Sequence, residues 1–99
     1  NNIALGYHSL SSNTTGGANV GIGRGALFTN TTANHNTAVG YLSMAANTTG
    51  SENTALGQGS LASNTTASNN TAVGRNTLTT NSTGHSNTAV GAVSQVILL

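Results

Sequence analysis

The sequence predicts an all-β fold, a parallel β-solenoid built from coils of 17 residues, and three observations support it. An asparagine returns every 17 residues, from Asn2 to Asn87, with no insertion. A glycine and a branched aliphatic residue return in the same phase. Asn, Thr, Ser and Gly together make 56 of the 99 residues, and none of the four favours an α-helix. Such a fixed period indicates units that stack directly on one another.

Counted from the recurring asparagine as position 1, the unit reads Asn-Thr-Ala-(Val/Leu/Ile)-Gly-x-x-(Ser/Thr)-Leu-x-x-Asn-Thr-Thr-(Gly/Ala)-x-x. The apolar positions 4 and 9 are five residues apart, which does not match the period of a helix. Thr-Ala-Val and Ser-Leu-x are short β-compatible segments, bounded by glycine and by Asn-Thr-Thr turns. We therefore expect two or three very short strands in each coil.

Stacking places like residues above one another, so each position becomes a ladder along the solenoid axis. Asparagine suits a ladder because its side-chain amide both donates and accepts hydrogen bonds. Position 1 is predicted to form one, and position 12 fits either a ladder or a surface turn. The glycine of position 5 is predicted to occupy a corner that needs positive φ, or to lie where another backbone approaches. The predicted structural ladders are Asn2, Asn19, Asn36, Asn53, Asn70 and Asn87, and Gly6, Gly23, Gly40, Gly57, Gly74 and Gly91.

One coil contains little apolar surface, chiefly the aliphatic side chains of positions 4 and 9. Burial of so little surface leaves a single chain marginally stable, so we expect neighbouring chains to contribute. In an extended segment the side chains of positions 3 and 4 point to opposite faces. The small residues of position 3 would let three chains approach closely. We therefore predict a homotrimer, with the coils packed against one another or intertwined.

Composition excludes several classes of function. The charged residues are Arg24, Glu52 and Arg75, which cannot form the cationic surface that nucleic acid requires. No apolar run has the length of a membrane span, and no secretory signal is present. Cysteine is absent, which excludes disulfides. A nearly uncharged surface of Thr, Ser and Asn suits a long-lived extracellular element.

No residues suggest a catalytic centre. His8, His35 and His85 occupy three different positions of the unit, so no two of them stack as metal ligands. Glu52 has no second carboxylate with which to perform acid–base chemistry. The segment 21–25 is glycine-rich like a nucleotide-binding loop, but two of its glycines are repeat positions. We predict no enzymatic activity, no metal and no cofactor.

Two sets of residues are candidate surface sites. Position 6 follows the corner glycine and is predicted to face outward, where Tyr and Arg would contact cell-surface glycans, unless it is simply a tolerant exposed position. Six asparagines match the N-glycosylation pattern and would bear sugars in a eukaryotic secretory pathway, whereas elsewhere the pattern is only a turn. The recognition candidates are Tyr7, Arg24, Tyr41, Gln58 and Arg75, and the glycosylation candidates are Asn13, Asn30, Asn47, Asn64, Asn69 and Asn81.

The pattern divides the chain into two parts. Residues 1–91 contain about five and a half repeats, and the apolar segment 92–99 departs from the unit. An uncovered apolar strand invites pairing with another chain. We expect 92–99 to be a cap, a contact with another chain or, as we favour, the start of a next module.

The segments Asn36–Tyr41 and Ser63–Thr66 resemble the Asn-Thr-Ala-Leu-Gly-Tyr and Ser-Asn-Thr-Thr-Gly repeats of tail-fibre-domain proteins of phages and bacterial surfaces. Those proteins often end in a self-cleaving chaperone. The Ala-Val-Gly-x-x-Ser core is similar to the head repeats of trimeric autotransporter adhesins, which form trimeric left-handed β-rolls. The resemblance covers nearly the whole chain to Gly91. It departs in two respects, since the adhesin unit is shorter than 17 residues and neither chaperone nor membrane anchor is present.

Together these features predict a structural shaft segment of an extracellular fibre, either a phage tail fibre or a bacterial trimeric adhesin, that supports receptor binding or attachment. Its partners would be copies of itself and cell-surface glycans. Two alternatives stay open. Threonine ladders at positions 2, 13 and 14 are typical of an ice-binding solenoid, although positions 13 and 14 should point to opposite faces. The second alternative is a self-assembling extracellular filament, with or without glycosylation, in which chains stack end to end through the apolar terminus.

Overall fold

The computed structural model describes residues 1–95, in which six short strands form one parallel sheet in the order β1-β2-β3-β4-β5-β6. Each strand covers positions 2 to 4 of its coil and pairs with the same positions of the next, as Thr37 does with Thr54. The chain is therefore an all-β parallel β-solenoid, and the predicted period and fold class are confirmed. The strands are β1 Ile3–Leu5, β2 Val20–Ile22, β3 Thr37–Val39, β4 Thr54–Leu56, β5 Thr71–Val73 and β6 Thr88–Val90.

Each described coil contains one strand, and the expectation of two or three was wrong. The segment around position 9 is wound into turns instead, because positions 7 and 9 adopt left-handed backbone conformations, as at Leu42 (φ 55°) and Met44 (φ 50°). Local hydrogen bonds of 3.2 Å close these turns, from Phe28 N to Gly25 O and from Asn30 N to Leu27 O. A left-handed residue at every second position prevents the extended backbone that a strand requires.

Hydrogen bonds between coils also run outside the strands. Leu27 N donates to Ser43 O at 3.0 Å, and Thr31 N donates to Thr48 O at 3.2 Å. Successive coils are thus joined on all sides of the cross-section. The chain measures 35 × 20 × 16 Å, an elongated shape of the kind expected when coils stack along one axis.

The interior contains one large apolar side chain per coil, from position 9. Leu27, Met44 and Leu61 are completely buried there. Small side chains fill the remaining space, namely the alanines of position 3 and the serine, threonine or alanine of position 8. The apolar core comprises Leu10, Ala26, Leu27, Ala38, Met44, Ala55, Leu61, Ala72, Leu78 and Ala89.

Position 3 faces the interior of its own coil, so its predicted role at the contact between three chains was wrong. The reason is the narrow interior. A Cβ at Gly21, the position 3 residue of the second coil, would come within 2.7 Å of Ser9 Oγ and 3.4 Å of Ala26 O. Only a small side chain fits opposite position 8. The aliphatic residues of position 4 consequently point outward.

The coil geometry continues past Gly91. Val93 N donates to Arg75 O at 2.7 Å and Leu78 N donates to Ser94 O at 2.8 Å, as the same positions do in earlier coils. The Gln95 side chain donates to Thr80 Oγ1 at 2.8 Å. Residues 96–99 lie outside the described residues, so the assignment of 92–99 to a cap or a next module stays a prediction.

Candidate functional site

The most regular polar site is a pair of asparagines that holds one backbone carbonyl in every complete coil. In the third coil Asn36 Nδ2 and Asn47 Nδ2 donate to Gly50 O at 2.8 and 2.9 Å. We call this arrangement, formed by positions 1, 12 and 15, the asparagine clamp. It recurs in all five complete coils. The clamp closes the end of the coil that the Asn-Thr-Thr turn forms.

The clamp also joins each coil to the next. Asn36 Oδ1 accepts a hydrogen bond from Asn53 N at 2.9 Å, and Asn30 Oδ1 accepts one from Asn47 Nδ2 at 3.0 Å. Position 12 forms a ladder of side-chain amides, one of the two alternatives that the sequence left open there. At position 1, where a ladder was predicted, each side-chain oxygen accepts instead from the backbone amide of the next coil. Asn36, Asn47 and Asn53 are completely buried. Within residues 1–95 no buried side-chain nitrogen or oxygen lacks a hydrogen-bond partner.

A third ladder, at position 16, was not predicted. Asn34 N donates to Ser51 Oγ at 3.0 Å, and Ser68 N donates to His85 Nδ1 at 2.9 Å. The side chain of each coil therefore accepts from the backbone of the preceding one. The available signal was that four of the five residues at this position can accept a hydrogen bond. His85 takes part in this ladder through Nδ1 as the acceptor.

The glycines of position 5 form the predicted corner. Their φ angles lie between 122° and 135°. A Cβ at Gly40 would come within 2.6 Å of Gly57 C in the next coil. Both predicted reasons for glycine, positive φ and close approach of another backbone, apply at this position.

The outer surface of the sheet combines the side chains of positions 2 and 4, and we call it the Thr–aliphatic face. Leu56 and Val90 are 37% and 69% exposed, and Leu5 is 65% exposed. Val39 and Val73 are half-buried. No charged residue occupies either position. An uncharged apolar face on a parallel sheet is normally covered.

Position 6 forms a ridge beside the corner glycines. All five recognition candidates, Tyr7, Arg24, Tyr41, Gln58 and Arg75, are exposed, as the sequence predicted. Their role in recognition stays a prediction. Arg24 Cζ lies 5.7 Å from the centroid of the Tyr7 ring.

The structure separates the glycosylation candidates. Asn30, Asn47 and Asn64 are completely buried and use Nδ2 in the clamp, so a glycan on Nδ2 is incompatible with the folded coil. Their burial corrects the sequence-based expectation of one sugar on the edge of each coil. Asn13 and Asn81 are half-buried members of the same ladder. Asn69 is exposed, and glycosylation there stays a prediction.

Within residues 1–95 no three His, Asp or Glu side chains are placed to hold a metal ion together. None of the described residues belongs to a helix with the length and hydropathy of a membrane span. Compared with protein families, with curated proteins and with solved structures, the chain has no match.

Proposed function

We propose that the chain is a structural shaft segment of an extracellular fibre, on a virion or a cell surface. The single observation that supports this role most strongly is the continuity of the axial hydrogen bonds. Every complete coil repeats the same clamp, with no inserted loop that would interrupt the stack. In a solenoid, stability grows with each added coil and its contact with the neighbour. Such a molecule suits the task of holding another element at a distance.

The shaft is proposed to associate laterally with copies of itself through the Thr–aliphatic face. Each coil places at least one aliphatic side chain on the outer surface of the sheet, where it is exposed or half-buried. Because the face repeats in every coil, only a partner whose own repeat has the same spacing along the axis can match it along its length. Another copy of this chain has that spacing. Three such sheets facing a common axis would form the trimer that the resemblance implies.

The test is the mass of the full chain in solution, measured by light scattering during gel filtration. A trimer has three times the 9.7 kDa mass of one chain. Val73→Asp should weaken association at least about 100-fold, because assembly would bury an unpaired carboxylate. Thr49→Asp is the matched control, since Thr49 is exposed away from the Thr–aliphatic face. Far-UV circular dichroism should show that both variants keep the solenoid.

A monomeric wild-type chain at high micromolar concentration would contradict the lateral association. Equal effects of the two substitutions would show that the Thr–aliphatic face is not the contact. The shaft role itself would fail if a chain lengthened by further copies of the 17-residue unit formed particles no longer than the wild type in electron micrographs.

One observation favours the ice-binding alternative. On the Thr–aliphatic face, Thr54 and Leu56 lie side by side and recur at a regular spacing, which is a flat and uncharged array. The threonines of position 13 do not serve, because Thr31 and Thr48 donate their hydroxyls to carbonyls of the next coil at 3.3 and 3.2 Å. Thermal hysteresis by the isolated chain would support ice binding, and its absence would support the shaft.

The third alternative is an end-to-end filament. It depends on the apolar segment after Gln95, which lies outside the described residues. Long threads in electron micrographs of the purified chain would support it, and short rods would support the shaft.

A further inference from the structure

The aromatic side chains of this protein are concentrated on one edge of the first three coils. Tyr7, Phe28 and Tyr41 are its only Phe, Tyr or Trp residues. They are 67%, 38% and 46% exposed. The fourth and fifth coils place Gln58 and Arg75 at the position of the tyrosines. The coil itself therefore does not require aromatic residues here, and their position needs another explanation.

Tyr7 and Phe28 are linked through His8, which packs against both rings. The Tyr7 and His8 ring centroids are 3.9 Å apart with an interplanar angle of 73°, and those of His8 and Phe28 are 5.3 Å apart. Edge-to-face packing of this kind restrains exposed rings. Tyr7 and Tyr41 occupy the same position two coils apart, hence about 10 Å at the usual strand spacing.

Arg24 occupies the same position in the coil between the two tyrosines. It is exposed, with Cζ 5.7 Å from the Tyr7 ring centroid. Glu52 is the only acidic side chain in the sequence, and it lies in a different position of the unit. In its first three coils the ridge thus combines one cation with two flanking aromatic rings, and no carboxylate occupies position 6 in any coil.

We propose that Tyr7, Arg24 and Tyr41 bind an acidic oligosaccharide whose chain lies along the ridge. An arginine binds a carboxylate with two parallel hydrogen bonds. Tyrosine provides a flat apolar ring with a polar tip, which suits the apolar face of a pyranose and its hydroxyl groups. An exposed row of side chains suits an extended chain better than a small molecule, which needs a concave pocket. Nucleic acid is the weaker ligand, because binding to phosphates requires many cations and this chain has two.

The ridge and the Thr–aliphatic face are separated by the corner glycine. The proposed binding therefore does not depend on the proposed assembly, and the two fail independently. Arg75 provides an internal control. It is exposed at the same position of the fifth coil, with Gln58 and Ala92 instead of tyrosines on either side.

The experiment titrates the full chain with oligogalacturonate and with sialyllactose, and follows binding by isothermal titration calorimetry and amide chemical shifts. Methyl-esterified oligogalacturonate and lactose are the neutral counterparts. We expect binding to at least one acidic sugar, with shifts confined to the first three coils. Arg24→Gln should weaken binding roughly tenfold or more, as expected for a lost charged hydrogen bond. Arg75→Gln should change the affinity less than about twofold, since a distant exposed charge is screened.

Tyr7→Ala and Tyr41→Ala should each weaken binding severalfold without changing the circular dichroism spectrum, because both side chains are exposed. Three results would overturn the proposal: no binding of either acidic sugar at millimolar concentration, equal binding of the neutral counterparts, or equal losses from Arg24→Gln and Arg75→Gln. The last result would indicate a general charge effect.

Discussion

The asparagine clamp predicts a specific coupling between two residues of one coil. In the fourth coil, Asn53 Nδ2 and Asn64 Nδ2 donate to Ala67 O at 2.9 and 3.0 Å. Substitution of either asparagine by alanine leaves this buried carbonyl with one donor. Substitution of both leaves it with none. The double variant should therefore lose more free energy of unfolding than the sum of the single variants.

The magnitudes follow from the bonds that each variant loses. Asn53→Ala also removes the acceptor of Asn70 N, at 2.9 Å, and Asn64→Ala removes the donor to Asn47 Oδ1, also at 2.9 Å. A buried group left unsatisfied costs about 1–3 kcal/mol, so we expect each single variant to lose about 2–4 kcal/mol. In the double variant Ala67 O becomes a further unsatisfied group. The expected coupling is about 1–3 kcal/mol beyond additivity.

The assay is equilibrium urea denaturation of the four proteins, followed by far-UV circular dichroism at one chain concentration. Thr66→Ala is the control, because Thr66 is exposed and should change the stability by less than about 0.5 kcal/mol. Additivity of Asn53→Ala and Asn64→Ala to within about 0.5 kcal/mol would refute the shared carbonyl. Single variants as stable as Thr66→Ala would refute the clamp altogether.

The remaining predictions concern the corner, the core and the surface. Gly57→Ala should abolish or strongly impair folding, because φ at this residue is 131° and the new Cβ would lie 2.6 Å from Gly74 C. Gly17→Ala is the control. No atom lies nearer than 3.7 Å to its new Cβ, so thermal melting should show almost no change in stability. In urea denaturation, Leu61→Ala should lower the free energy of unfolding by about 2–5 kcal/mol, because it leaves a cavity in the core. Met44→Leu should lower it by less than about 1.5 kcal/mol, because leucine already occupies position 9 in other coils. In a eukaryotic secretory host, mass spectrometry of the folded product should find glycan on Asn69 and none on the buried clamp asparagines. A folded, monodisperse product glycosylated at position 12 would contradict the burial of that ladder.

The sequence was sufficient for the fold because the repeat leaves a separate signature at each position. The period fixed the coil, and the invariant glycine at Gly40 and its equivalents correctly predicted a corner with positive φ. The amide ladder through Asn47 was one of the two alternatives that the same reasoning left open at position 12. These features depend on one residue type at one position, and residue type is what a sequence records.

The residue types alone could not show which face of the strand, position 3 or position 4, points into the coil. Alternation shows that Ala38 and Val39 point to opposite faces, but the choice of the inner face depends on the width of the coil. The left-handed conformation of Met44 was equally hidden, because a residue with a Cβ normally avoids that region. Both errors have one origin. The expectation assumed a coil wide enough for extended strands, whereas the turns at positions 7 and 9 make it narrow.

A narrow coil explains why the interior is partly polar and the exterior partly apolar. The cross-section has room for one large aliphatic side chain, such as Leu61, and the clamp fills the other end with amides that satisfy one another. A second aliphatic residue, such as Leu56, must then lie outside. The hydrogen-bonded interior therefore stabilises the solenoid along its axis, whereas the apolar side chains on the outside are available for contacts perpendicular to the axis. Hydrogen-bonded ladders hold the coils along the axis, and the Thr–aliphatic face is the surface that the proposed lateral association would bury. A chain with both properties would gain stability by lengthening and by association, as the proposed fibre shaft requires.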